Sequence, residues 1–154
     1  MGYSTVRAEL TTKDVLNSTL QSKKVVHVLT HGAAGVTSCS DGLLYATNIG
    51  SVPSLKFAFF ETCHSALSPS GGKSTVKTIK DNGASASLGF QGTISASSSS
   101  NGCHYYVVCF YGNAMEGKTV YISAVNALNE LYAYSGGYYG CNSYMVYGTS
   151  TTIN

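Results

Sequence analysis

Charged residues are scarce in this sequence: they make up 10% of its 154 residues, whereas about a quarter is typical of globular domains. The formal net charge is only +2, and no run of Lys or Arg forms the basic patch expected of a nucleic-acid-binding protein. Ser, Thr, Gly, Asn and Tyr are plentiful instead. This composition favours a secreted or cell-surface protein, but it does not decide the compartment.

Long hydrophobic runs are also missing. The apolar segments are too short to span a bilayer, so no membrane span is expected. Met1 is not followed by the basic and apolar regions of a secretory signal. The length predicts one domain, 1–154, large enough to bury a core.

The sequence contains no CxxC motif, and no Cys/His spacing resembles a structural zinc site. Its five cysteines, at 39, 63, 103, 109 and 141, are an odd number, so at least one stays unpaired unless a partner chain supplies a thiol. This count permits a free thiol at Cys63. Cys103, Cys109 and Cys141 could hold one disulfide, and nothing in the sequence selects a pair.

Short apolar strands alternate with helical patterns along the chain. This alternation predicts an α/β fold with a mainly parallel sheet. Strands are expected at 3–8, 25–30, 55–62, 84–90 and 143–147. A first helix is expected after a cap at Thr11, with Val15, Leu16 and Leu20 as its apolar face. Further helices are expected at 73–81 and at 119–134, and the last of these is capped by Thr119 and ended by Gly136-Gly137. Residues 32–54 and 95–102 are expected to be loops, the first with a possible hairpin at Asp41-Gly42, and HYYVVCF at 104–110 fits either strand or helix.

Two of these strands run directly into reactive side chains. VVHVLTHG at 25–32 ends in His31 and Gly32, and LKFAFFETCHS at 55–65 ends in Glu61, Cys63 and Ser65. Ligands bind at the carboxyl ends of parallel strands, because loops there face an open crevice. A cysteine attacks as thiolate, and a nearby histidine accepts and later donates the proton. His31 and Cys63 are therefore the expected base and nucleophile of a cysteine hydrolase.

Such a reaction also needs backbone N–H groups that stabilise the oxygen of the tetrahedral intermediate. Gly32 suits this role, because a residue without a Cβ lets its amide approach closely. The amide of Cys63 is the natural second donor. We therefore expect the backbone of Gly32 and Cys63 to form an oxyanion hole.

VVHVLTHG and FFETCHSA resemble the His-Gly and acid-x-Cys-x-Ser signatures of the caspase-like (clan CD) cysteine peptidases, which include metacaspases, legumains, clostripain, gingipains and CHAT-domain proteases. The helix 73–82 and the strand that ends in GF at 89–90 line up with this group in order. FYGNAMEGKTVYISAVNAL at 110–128 and VYG at 146–148 look like regions of its gingipain-type and CHAT-type branches. The resemblance implies a three-layer α/β/α sandwich, with His31 as general acid/base and Cys63 as nucleophile. It covers nearly the whole chain from about residue 3.

In this group the residue two positions before the cysteine commonly lines the primary specificity pocket. Here that residue is Glu61, which implies an endopeptidase that cuts after Arg or Lys, because a carboxylate pairs strongly with a guanidinium. The resemblance implies a peptide or protein substrate and no metal or other cofactor for the chemistry. Some relatives bind Ca²⁺ in a structural or regulatory role.

The sequence departs from the family pattern in several places. The glycine often found after Cys-x-Ser is Ala66, and the aspartate of the closing YGD is Thr149. The first β/α unit of the fold is missing from the pattern. We therefore expect a fragment, a trimmed domain or one half of a processed enzyme. A partner chain could supply the missing first strand.

Three other interpretations remain open. The chain could be a catalytically inactive relative that binds a peptide or partner. His27, His31, Cys63 and His64 could hold zinc, although their spacing matches no standard pattern. His64 could compete as the base, but an adjacent side chain on a strand faces the opposite way. His27 is expected to be a hydrogen-bonded core histidine.

Overall fold

The computed structural model describes residues 11–95 and 102–154. The predicted strand 3–8 and most of the predicted loop 95–102 lie outside these residues. The helices are α1 Lys13–Ser22, α2 Thr75–Asp81, α3 Cys103–Met115 and α4 Val120–Ser135, and the strands are β1 Val25–Leu29, β2 Gly32–Ala33, β3 Val36–Cys39, β4 Gly42–Tyr45, β5 Phe57–Glu61, β6 Ala86–Phe90 and β7 Tyr144–Tyr147.

The main sheet has four strands in the order β1-β5-β6-β7. β1 pairs with β5 and β5 with β6 in parallel, whereas β7 runs antiparallel to β6. The prediction of an α/β fold with a mainly parallel sheet is confirmed. Every residue of β5 and β6 is buried, as is usual for strands covered on both faces.

The two faces of the sheet carry separate apolar cores. Phe57 and Phe59 of β5 pack with α3 and α4, in a cluster that includes Phe110 and Leu131. Ala58 and Phe60 alternate with them and pack with α1 and α2, in a cluster that includes Leu20, Val76 and Ile79. Helices therefore cover both faces of the sheet.

Two predictions about local structure need correction. Part of the predicted loop 32–54 is a small antiparallel sheet of β2, β3 and β4, and its Cys39↔Gly42 pairing confirms the hairpin at Asp41-Gly42. Strands this short show too little periodicity to be read from sequence. The helix α1 is capped by Thr12, whose side chain accepts from the amide of Val15, and not by Thr11.

The ambiguous segment 104–110 is helical. Its buried residues Tyr106, Val107, Phe110 and Ala114 recur at the three- and four-residue spacing of a helix face. Burial against β5 and α4 thus outweighs the strand preference of its aromatic and β-branched residues.

The predicted helix 119–134 is confirmed as α4. Thr119 is its N-cap, and it ends at Gly136, whose φ of 70° is left-handed. Within the described residues, no helix combines the length and apolar character needed to cross a membrane.

Candidate active site

The ends of β1 and β5 bring the two predicted catalytic segments together. The parallel register aligns Leu29 with Glu61, and His31 and Cys63 each follow two residues later. Because the carboxyl ends of parallel strands meet at one edge, both segments lie at the same edge of the sheet.

Gly32 lies tightly against the segment that carries Cys63. A Cβ added to Gly32 would lie 2.9 Å from the carbonyl oxygen of Cys63 and 3.0 Å from Oγ1 of Thr62. A side chain cannot fit there without a shift of the backbone. The sequence therefore needs glycine after His31 to bring β2 against Cys63.

His31 itself is exposed, and its carbonyl accepts a hydrogen bond of 2.9 Å from the amide of Ser38 in β3. Thr30 bonds through its hydroxyl to the carbonyl of the same serine at 3.1 Å. The small sheet thus fixes the backbone that carries His31. Among the described residues no hydrogen bond joins the His31 ring to the Cys63 thiol.

Cys63 is half-buried and is not in a disulfide. Its Sγ lies 3.7 Å from the carbonyl oxygen of Ile94 and 3.5 Å from the amide nitrogen of the same residue. The sulfur therefore rests on the backbone that follows β6. The sequence offered no signal for this role of Ile94, because a backbone contact is independent of the side chain.

The chain turns sharply just after Cys63. His64 has a φ of 56°, a left-handed conformation that is uncommon for a residue with a side chain and that concentrates at functional sites. Its Nδ1 lies 2.9 Å from the carbonyl of Gln91, and its Nε2 lies 3.2 Å from Oγ1 of Thr93. Both ring nitrogens of His64 are thus engaged in holding the turn.

The buried hydroxyl of Ser65 also stabilises the turn after Cys63 through hydrogen bonds. Its buried Oγ accepts from the amide of Phe90 at 3.1 Å and lies 3.0 Å from the carbonyl of Thr62 and 3.2 Å from that of Phe60. The serine of the Cys-x-Ser pattern therefore ties the nucleophile segment to β6. The motif signalled this residue, but only the structure shows that its role is structural.

Glu61 is 1% exposed and pairs with His27, whose Nε2 lies 3.0 Å from Oε2 of the carboxylate. The ring of His27 also packs against Phe59 and Tyr111. His27 is hydrogen-bonded, as predicted, but it lies at the exposed edge strand and not in the core. The Glu61 carboxylate is therefore shielded from solvent in this structure.

Tyr111 completes this buried polar group. Burial, followed by the nearby Glu61 carboxylate, raises the pKa of Tyr111. Its hydroxyl is buried without a hydrogen-bond partner in the described part of the chain, as is that of Thr62 beside Gly32. Buried hydroxyls without a partner are uncommon in proteins, and two of the six in the described residues lie beside Glu61 and Gly32.

Three of the other four thiols have raised pKa values. Burial, followed by Asp41, raises the pKa of Cys39. Burial, followed by Glu130, raises the pKa of Cys109 to about 11. The pKa of Cys103 is raised by a hydrogen bond with Cys141 and by burial. Since the thiolate is the reactive form, these three thiols react slowly near neutral pH.

The candidate zinc ligands are held in other contacts: His27 by Glu61, Cys63 by Ile94 and His64 by Gln91 and Thr93. Within residues 11–95 and 102–154, no three His, Cys, Asp or Glu side chains are grouped so as to hold a metal ion.

Comparisons with known proteins add no family to this picture. No protein-family model matches the chain, and a search of curated proteins finds no significant match.

Proposed function

We propose that this chain is a caspase-like cysteine endopeptidase with the three-layer α/β/α sandwich of that group. The observation that carries the proposal is the parallel pairing of β1 with β5, which delivers His31-Gly32 and Cys63 to one edge of the sheet. The half-buried, unpaired thiol and the strained turn at His64 support it.

In the proposed reaction His31 accepts the proton of the Cys63 thiol, and the sulfur attacks the carbonyl carbon of the substrate. The backbone amides of Gly32 and Cys63 donate to the developing oxyanion. The C–N bond then breaks, and His31 gives the proton to the leaving amine. Water hydrolyses the remaining thioester and regenerates the thiol.

The exposed His31 ring must rotate to bond the Cys63 sulfur, since in the structure that sulfur contacts Ile94 instead. A hydrogen bond that forms only when substrate binds is common at active sites, because catalytic hydrogen bonds are often long or unformed without substrate.

Active-site labelling tests the proposal. An acyloxymethyl ketone or iodoacetamide probe is expected to modify Cys63 first, and His31→Ala should slow this reaction at least tenfold. His104→Ala, an exposed histidine on α3, is the matched control and should leave the rate unchanged. Equal labelling of Cys39 and Cys63, or no effect of His31→Ala, would contradict the dyad.

Glu61 is the proposed determinant of cleavage after Arg or Lys. In this proposal the basic side chain of the substrate displaces His27 and takes over its pairing with the buried carboxylate, since a guanidinium can bond both carboxylate oxygens. Reporter peptides with Arg, Lys or Asp before the scissile bond test this. Glu61→Gln should lower cleavage after Arg selectively, and a preference for Asp would exclude the pocket.

A non-catalytic interaction module is the second candidate function. In the described residues β1 has a neighbouring strand on one side only, and Leu29 on it is 60% exposed. An extended peptide or a strand from a partner chain could add to this open edge through main-chain hydrogen bonds. Peptide binding that survives both Cys63→Ala and His31→Ala, with no turnover by the unmodified chain, would favour this function.

A further inference from the structure

Two buried thiols lie close together beside the candidate active site. Cys103 is the first residue of α3, and Cys141 begins the short 3-10 turn that precedes β7. Both residues are 0% exposed, both are unpaired, and both belong to the apolar cluster between the sheet and α3 and α4. The Cys141 thiol is the largest influence on the pKa of Cys103, which it raises. The tertiary structure thus brings together two cysteines that the sequence leaves far apart.

The backbone fixes this proximity from both sides. The amide of Cys103 donates to the carbonyl of Ser95 at 2.9 Å, and the amide of Ser95 donates to the carbonyl of Tyr139 at 3.0 Å. The amide of Cys141 donates to Tyr138 at 2.7 Å. Both cysteines are therefore anchored around the same segment, so their approach does not depend on a side-chain rotamer alone.

The other three cysteines have different partners. Cys63 contacts Ile94, Cys109 lies next to Tyr105 and Glu130, and Cys39 pairs with Gly42 in the hairpin, near Asp41. The geometry therefore selects one pair among the candidates that the sequence leaves open.

We propose that Cys103 and Cys141 form a disulfide when the chain folds in an oxidising environment. A low-molecular-weight disulfide such as oxidised glutathione is the oxidant. Each cysteine loses its thiol hydrogen as the sulfur–sulfur bond forms, and the glutathione disulfide is reduced to two glutathione thiols. Cys39, Cys63 and Cys109 remain reduced. This inference is independent of the proposed peptidase activity.

This disulfide would stabilise the backbone segment next to Cys63 and would leave the Cys63 thiol free. Gly140, next to Cys141, packs so tightly on the carbonyl of Thr93 and on Ile94 that a Cβ cannot fit there. Ile94 in turn contacts the Cys63 sulfur. A crosslink from α3 to Cys141 would therefore hold in place the backbone on which Cys63 rests.

Peptide mapping of the intact chain, refolded in a buffer of oxidised and reduced glutathione, tests the pairing. After acid quench and alkylation, trypsin cuts at Lys80 and Lys118, which places Cys103 and Cys109 in peptide 81–118 and Cys141 in peptide 119–154. We expect these two peptides to be linked. The link should persist in Cys109→Ala and disappear in Cys141→Ala.

Thermal unfolding gives a second readout. Because the crosslink restricts the unfolded chain, the midpoint should rise by about 5–15 °C relative to the reduced chain, and dithiothreitol should reverse the rise. Several outcomes would overturn the proposal: thiols that stay reduced in excess oxidised glutathione, a link made through Cys63 or Cys109, or a crosslink that lowers the midpoint. If Cys141→Ala does not fold, the map of Cys109→Ala decides, because Cys103 is then the only cysteine in peptide 81–118.

Discussion

At the scale of single residues, the candidate site depends on two residues whose side chains take no part in the proposed reaction. Gly32 allows β2 to lie against Cys63, and Ser65 ties the turn after Cys63 to β6. Each has a matched control elsewhere in the chain, so their contributions can be separated from general effects on the fold.

Gly32→Ala is expected to reduce the rate of Cys63 labelling and of proteolysis by tenfold or more. Its new Cβ would lie 2.9 Å from the Cys63 carbonyl oxygen, so the backbone must shift, and small misplacements of catalytic groups cost about two orders of magnitude. Gly112→Ala is the control, because nothing lies within 4 Å of that Cβ. It should leave labelling unchanged and stabilise α3 by about 0.5–1 kcal/mol. Equal rates for both variants would contradict the role of Gly32.

Ser65→Ala is expected to destabilise the fold by about 1–3 kcal/mol, because the buried amide of Phe90 loses its acceptor. Ser123 is equally buried, but its hydroxyl has no partner among the described residues. Ser123→Ala should therefore be neutral or stabilising. Urea unfolding of the two variants measures both values, and a similar loss in each would show that the hydrogen bonds of Ser65 are not the cause.

At the scale of elements, the predictions succeeded where apolar runs or caps are strong. The strands at 25–29, 57–61 and 86–90 carry continuous apolar residues, and α4 has its cap and its terminal glycine. Of the small sheet β2–β4, only the hairpin at Asp41-Gly42 was predicted, because its strands are two to four residues long. The identity of α3 was left open because its residues favour strands, and packing against β5 decides the outcome.

The helix α2 offers a prediction about pH. Hydrogen bonds from Lys73 and then Lys77 hold the pKa of Asp81 below its ordinary value of 3.8. The Asp81 carboxylate therefore binds a proton less tightly in the folded state than in the unfolded state. Its ion pairs with the two lysines stabilise the fold fully at pH values above the ordinary pKa, and this stabilisation is lost as the pH falls through the lowered pKa of the folded state.

Asp81→Asn should thus destabilise the chain at pH 7, but only by about 0.5 kcal/mol or less, because the carboxylate is 31% exposed and screened by water. The difference should vanish in acid and shrink in high salt. Urea unfolding at pH 7 and at pH 2.5 measures it, with Lys73→Met as the partner in a double-mutant cycle. A loss that persists in acid would mean that the ion pair is not responsible.

At the scale of the whole molecule, one sheet separates two cores, and β5 lies between them. Phe59 on β5 contacts the rings of Phe57, Phe90, Tyr106, Phe110, Tyr111 and His27. The same strand ends in Glu61 and leads directly into Cys63. The core and the candidate site therefore share one element.

Phe59→Ala is expected to cost about 3–5 kcal/mol, a large share of the 5–15 kcal/mol that typically stabilises a domain. Labelling at Cys63 should then lose its selectivity, because a destabilised sheet exposes all five thiols. Val108→Ala, at a residue 54% exposed on α3, should change the unfolding midpoint little. Urea unfolding followed by circular dichroism tests both, and a small effect of Phe59→Ala would show that the aromatic cluster around Phe59 contributes less to stability than its burial indicates.

The placement of the candidate site at one sheet edge was predictable from the sequence, and its contacts were predictable only in part. His31, Gly32, Glu61 and Cys63 follow apolar runs, so the sequence alone assigns them to one sheet edge. The burial of Glu61 against His27 was not predictable, because it depends on β1 being the edge strand beside β5. The contact of Cys63 with Ile94 also escapes sequence analysis, since it is made by backbone atoms.

By itself the sequence determined the alternation of strands and helices and the residue types that end β1 and β5, because hydrophobic periodicity and capping are local properties of the chain. Only the tertiary structure decided the helical state of 103–115, the pairing of His27 with Glu61 and the proximity of Cys103 and Cys141. The His27–Glu61 pair joins residues 34 positions apart, and Cys103 and Cys141 are 38 positions apart. The helical state of 103–115 follows from burial on one face. Neither proximity in space nor burial is encoded in a local sequence pattern.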